Sequence, residues 1–158
     1  MTVTTNFNPG VIAESRERDI DSNVANAIVN FGKGLMYAGD GVADFDGTTG
    51  QKFAGIALAS VKPGFDLDQY DAQEDVSTLR KGIVWVMVDS GSAGVTKGDK
   101  AALMPSGNFD AEKAGGGATG NFALNIHNAE FKSDAVAGEV VKLEINGPAD
   151  YTEVELTA

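Results

Sequence analysis

The run Ile83-Val84-Trp85-Val86-Met87-Val88 limits the possible folds of this chain more than any other segment. It holds six large apolar side chains in a row, has no breaker, and is closed by Asp89-Ser90-Gly91. A membrane span needs about 20 apolar residues, so the run is far too short for one. Its length and its valines favour a strand over a buried helix. Successive side chains of a strand point to opposite faces, so large apolar groups emerge on both. The strand therefore needs core on one side and a second layer, an arm or a subunit on the other. Burying each side chain contributes on the order of 1.5–3 kcal/mol.

The rest of the chain repeats this pattern in shorter pieces. Leu35-Met36-Tyr37 is closed by Gly39-Asp40-Gly41, and Phe53–Ala59 lies between Asp46-Gly47 and Pro63-Gly64. Phe122, Leu124 and Ile126 alternate with Ala123, Asn125 and His127, and Val141, Leu143 and Ile145 with Lys142 and Glu144. With 20 glycines among 158 residues, tight turns between short strands are the natural reading. The expected fold is all-β, a small barrel or sandwich with an extended N-terminal arm and at most one short helix. That helix has one candidate, residues 20–31, where Ile20, Val24, Ala27, Ile28 and Phe31 make a stripe. Asn23, Asn26 and Asn30 argue against it.

Residues 1–20 read as the extended arm, either a frayed terminus or a partner clasp. They show Pro9-Gly10, a mixed charge run from Glu14 to Asp19, and Val11-Ile12 as the adjacent large apolar pair. Residues 21–147 form the β domain, and 148–158 a tail or an extra strand, with Val154 and Leu156 alternating with Glu153 and Glu155. Ala114–Gly120 is glycine-rich and reads as a flexible loop. There is also an internal echo. Lys33-Gly34 and Phe53-Ala54-Gly55-Ile56 are paralleled by Lys97-Gly98 and Phe122-Ala123-Leu124, as two similar hairpin units would be.

Charge and chemistry exclude more than they suggest. The 23 acidic residues outnumber 12 basic ones, a difference of −11, which disfavours nucleic acid and anionic membranes as partners. There is no cysteine, hence no disulfide, thiolate ligand or cysteine nucleophile. The start, Met1–Phe7, lacks the basic and apolar regions of a signal peptide, so synthesis in a cytoplasm is expected. His127 is the one histidine and sits at the polar phase of its strand, an exposed surface position. Met36, Met87 and Trp85 read as core. Asp40, Asp44 and Asp46-Gly47 resemble a calcium loop, but the frame would need an acid at Val42 and a glutamate at Phe53. Asp66, Asp68 and Asp71 are a second cluster of solvated loop acids. No phosphate-binding loop is present, and no pair of carboxylates stands out. The expectation is a non-enzymatic protein with no catalytic residue, no metal site and no cofactor.

Several segments resemble, in order and spacing, the structural cement (head decoration) proteins of tailed bacteriophages. Val76–Val86, with Arg80-Lys81-Gly82 leading into Ile83-Val84-Trp85-Val86, is similar to that family's basic turn and Gly-x-Val-Trp-Val strand. Val95–Ala101, Ser106-Gly107-Asn108-Phe109, Val29–Leu35, Phe53–Ala57 and Ala137–Ile145 are similar to its further strands, so the likeness covers roughly residues 9–147. Ala101 departs from it, standing where a β-branched residue belongs, and the glycine-rich loop and acidic tail fall outside it. The resemblance implies a compact, tulip-like β-barrel on the exterior of a phage head, a virion protein assembled in the host cytoplasm. Its implied partners are the major capsid protein and, in a homotrimer, further copies of itself. Phe7, Val11, Ile12, Arg16 and Arg18 of the arm are the candidate contacts. Other readings of the same residues are a tail-tube or fibre module, or a carbohydrate-binding β domain. For the latter the aromatic platforms would have to come from Trp85 and three tyrosines.

Overall fold

The computed structural model describes residues 8–60, 69–147 and 150–157, with side chains at all of these except 15–17. Among the described residues the chain forms strands and no helix. In chain order they are β1 (Ile12–Val24), β2 (Val29–Asn30), β3 (Gly34–Ala38), β4 (Gly41–Asp44), β5 (Phe53–Ala57) and β6 (Gln69–Tyr70). There follow β7 (Asp75–Met87), β8 (Lys100–Leu103), β9 (Phe109–Ala111), β10 (Phe122–Phe131), β11 (Val140–Ile145) and β12 (Tyr151–Glu155).

The main sheet runs β4-β3-β5-β7-β11-β10-β8-β9, and this order is a palindrome. In each half a hairpin (β3–β4 or β8–β9) uses its first strand to pair also with the strand that follows it (β5 or β10). The halves meet where Val86 pairs with Val141 between β7 and β11. The sequence echo around Lys33-Gly34 and Lys97-Gly98 falls on the entries to these two matching units. The sheet curls until its ends meet. Val88 bridges Phe109, the Asp89 N–H donates to the Phe109 carbonyl at 2.8 Å, and the Gly34 N–H donates to that of Gly107 at 2.9 Å.

Inside the curl lies the main core, which includes Phe45, Ile56, Leu79, Val86, Phe109, Leu124 and Leu143. A second, smaller core sits on the outer face, where the β2–β6 ribbon covers β3, β5 and the first half of β7. Tyr70 is buried there, donating to the Leu58 carbonyl at 2.6 Å and meeting Phe31 edge-on at 5.1 Å. So β7 does have cover on both faces, but unevenly. Ile83, Val84, Val86 and Val88 are buried, while Trp85 and Met87 are only half-buried, contrary to their reading as core. Lys142 lies over the Trp85 ring at 5.6 Å, a cation–π contact at a partly open site.

Three local expectations need correction. The stripe of residues 20–31 is not a helix. Ile20 and Val24 belong to β1, Val29 to β2, and Ile20, Val24 and Ile28 are exposed. The asparagines outweighed the period. β1 also runs across residue 20, where the arm was taken to end, and pairs with β7 from Ile12 to Val24. Finally, the glycine-rich stretch is packed, not loose. The Gly117 N–H donates to the Glu155 carbonyl at 3.2 Å, Thr119 Oγ1 to the Leu156 carbonyl at 2.9 Å, and the Gly120 N–H to Glu155 Oε1 at 2.9 Å. A Cβ on Gly117 would fall on the Leu156 carbonyl. Position 117 must be glycine because β12, itself paired with β10, lies against the loop backbone there.

Gly117→Ala is therefore expected to release the C-terminal strand at a cost of about 1–3 kcal/mol. Limited proteolysis should cut near residues 150–157 in the variant while the barrel stays intact, and equal protection of both proteins would contradict the clamp. Leu124→Ala, in the fully buried core, should cost about 2–5 kcal/mol in urea unfolding.

Candidate docking groove

An open groove of about 1030 Å³ lies beside the C-terminal end of β7. Pro9, Val11, Ile12, Phe31, Leu58 and Met87 give it an apolar floor, and Asn8, Asn30, Lys33 and Asn108 a polar rim. The wall made by residues 8–12 is fixed by main-chain bonds. The Val11 N–H donates to the Asn8 carbonyl at 3.3 Å, closing a turn in which Gly10 has φ +85°. Gly10 then bonds both neighbours, its N–H donating to the Trp85 carbonyl at 2.7 Å and its carbonyl accepting from the Ala59 N–H at 2.9 Å. The Trp85 N–H donates to the Val11 carbonyl at 2.9 Å. The arm is thus wedged between β7 and the chain leaving β5.

The rim is a linked polar cluster. Lys33 Nζ donates to the Ser106 carbonyl at 3.0 Å and to Asn108 Oδ1 at 2.9 Å, tying the entry of β3 to the β8–β9 turn. Asp44 accepts from the Asn30 main chain at 3.3 Å and from its amide at 2.9 Å. Ser106 Oγ donates to Asp89 Oδ1 at 2.6 Å. Burial holds the Lys33 ammonium below the usual lysine range, against the pull of Asp44 and Asp89. Burial likewise pushes the Asp44 carboxyl up, although the Asn30 bonds and Lys33 oppose it. Such a surface offers apolar contact and amide hydrogen bonding, the chemistry that docks a peptide segment.

Of the five arm residues singled out from the sequence, Val11 and Ile12 line this groove, Val11 exposed and Ile12 packed against the core. Arg18 is exposed on β1 with its stem near Gly82, five residues back along β7 from Met87. Phe7 and the Arg16 side chain lie outside the described residues. Sequence reading missed Phe31, Lys33, Leu58 and Asn108, which come from three separated stretches and share no local pattern. His127 is exposed, its Nε2 2.7 Å from Thr152 Oγ1. Of the acidic loops, Asp44 is held by Asn30 and Asp46 Oδ1 accepts from the Thr48 N–H at 3.0 Å, while Asp66 and Asp68 lie outside the described residues.

One buried acid escaped notice altogether. Asp110 is only 2% exposed, and its Oδ1 accepts from Ser92 Oγ at 2.6 Å and from the Ala111 N–H at 2.7 Å. Its Oδ2 meets Lys113 Nζ at 2.6 Å, so the charge is compensated. The Lys113 N–H in turn donates to Oδ1 of buried Asn125, whose Nδ2 donates to the Lys113 carbonyl. This network anchors the segment after β9.

The comparisons with known proteins bear on the whole chain. Residues 2–146 match the family described as structural cement protein (E217 gp24/Pam3 gp6). The chain belongs to this family. A chain of the solved structure "The capsid of Myoviridae Phage XM1" shares the fold at a TM-score of 0.73, with 17% identity over 92% of this chain and 94% of that one. No curated protein matches.

The rim of this cement-family barrel carries a testable pH signature. A carboxyl whose folded pKa is raised favours the fold at acid pH, and that gain is lost as pH rises through the raised value. Asp44→Asn removes the titration. The stability of the variant relative to the wild type should therefore improve steadily from below the ordinary carboxylate range towards neutral pH. Urea midpoints measured across that range would check it, and a difference independent of pH would refute it.

Proposed function

We propose that this chain is a capsid cement protein of a tailed phage, docking on the exterior of the head and tying neighbouring major-capsid-protein capsomers together. The observation that carries this reading is membership of the structural cement family over nearly the whole chain. The likeness in fold to a chain of a phage capsid structure supports it. The physical character of the surface agrees. An apolar groove sits beside a strand edge on an otherwise acidic protein, and adhesion needs no catalytic group. The role is non-enzymatic.

In this reading the docking face comprises the arm and the groove: Phe7, Val11 and Ile12 make the apolar contacts, and Arg16 and Arg18 reach acidic groups on the shell. The protein works as a homotrimer assembled onto the head in the host cytoplasm. Three linked docking sites convert modest single-site affinity into firm attachment.

Purified protein added to expanded heads that lack it is expected to bind to saturation and to raise the temperature at which the shell disrupts in calorimetry. Val11→Glu puts a charge on an exposed groove residue. It should weaken head binding at least tenfold while shifting the unfolding free energy by no more than about 0.5 kcal/mol. Absence of binding by the wild type, or unchanged shell stability at saturation, would end this assignment. Sedimentation equilibrium tests the trimer.

A further inference from the structure

Lys33 and Asn108 form a pair whose chemistry goes beyond framing the groove. They stand 75 positions apart in the chain, one just before β3 and the other just before β9. Lys33 Nζ lies 2.9 Å from Asn108 Oδ1 and 3.0 Å from the Ser106 carbonyl oxygen. Main-chain bonds fix both partners. The Gly34 N–H donates to the Gly107 carbonyl at 2.9 Å, and the Met104 N–H to the Asn108 carbonyl at 2.8 Å. The lysine stem runs over Gly107, which at φ +80° carries no Cβ to displace it. Both side chains are half-buried and line the groove. An amine held this way against a carboxamide is close to the geometry of attack, because the Asn108 carbonyl carbon is one bond of about 1.23 Å beyond the oxygen that Nζ already meets.

We infer that Lys33 and Asn108 join in an isopeptide bond, a covalent clasp between the two halves of the barrel. The Lys33 amine attacks Asn108 Cγ. The new N–C bond forms, the Cγ–Nδ2 bond breaks, and Nδ2 departs as ammonia through the groove. Attack needs a neutral amine, and burial favours that form of Lys33. Proton carriers stand nearby. Asp44 on β4 and Asp89 after β7 are the charged groups that face Lys33, close enough to pull on its charge, and burial favours the protonated form of Asp44. One of these carboxyls takes the proton of the lysine ammonium and returns it to the departing nitrogen. A lysine ammonium and a carboxamide thus become an amide and an ammonium ion, with no oxidant and no cofactor. Each chain reacts once, on itself, so the clasp is maturation and not turnover. Joining residues so far apart restricts the unfolded chain and locks the rim of the groove.

The test reads mass. Purified protein is incubated at mildly alkaline pH, where the neutral amine is more abundant, and its intact mass and proteolytic peptides are followed. The wild type is expected to end lighter than its sequence by one ammonia, with residues 33 and 108 recovered in a single joined peptide. It should also migrate faster in a denaturing gel, as a chain closed into a loop does. Lys33→Arg keeps hydrogen-bond donors for Ser106 and Asn108 but stays charged, so it should keep its full mass. Its urea midpoint should lie below that of the reacted wild type. A wild-type mass that stays at the sequence value overturns the inference. So does a loss of ammonia that persists in Lys33→Arg, since ring closure at Asn146-Gly147 would then account for it. Free protein suffices for every step, so the outcome is independent of whether the chain docks on heads.

Discussion

The pairing of β7 on both of its edges is the constraint from which the rest of this structure follows. Over thirteen residues it meets β1 along most of its length, β5 at Leu79 and Thr78, and β11 from Gly82 to Met87. A strand saturated this way leaves few main-chain groups to satisfy elsewhere, and it forces its neighbours to wrap around its apolar side chains. The two hairpin units then close the curl from either side. The arm is held because Gly10 and Val11 continue the ladder on Trp85, and beyond Trp85 the same edge of β7 meets β9 at Phe109.

The polar groups show the same economy. Where acids are buried or half-buried they are matched: Asp110 by Ser92 and Lys113, Asp44 by Asn30 with Lys33 nearby. Both clusters fasten turns to the barrel. Lys33 in particular spans from the first half of the palindrome to the β8–β9 turn of the second. The rim of the groove is thereby a rigid frame, and a surface that must recognise an extended segment gains from being set before the partner arrives.

Reading the sequence recovered strands wherever side chains alternated or ran apolar without a break. Val141, Leu143 and Ile145 are buried while Lys142 and Glu144 are half-exposed, in the phase that alternation gives. It failed where short-range pattern and long-range contact disagreed. Ile20, Val24 and Ile28 keep a helical spacing but are held in strand and loop, since β1 gains a ladder on β7 that no isolated helix of asparagines could match. Trp85 is apolar enough for a core yet stays half-open, because the outer layer of β2 and β6 stops short of it. The glycine-rich loop looked loose because the partner that demands Gly117 lies more than thirty residues away in sequence, at Leu156.

The sequence by itself determined the class of the fold and the location of its strands, since burial of alternating side chains is a local property. It also determined the lack of thiols, the acidic surface and the uncharged first stretch of the arm. Only the tertiary structure decided which strands are neighbours, and so where the end of β7 meets β9 to close the curl. It alone brought Val11, Phe31, Leu58 and Met87 around one groove. Those outcomes depend on contacts between residues far apart in the chain, whose free energy exists only once the curl has closed.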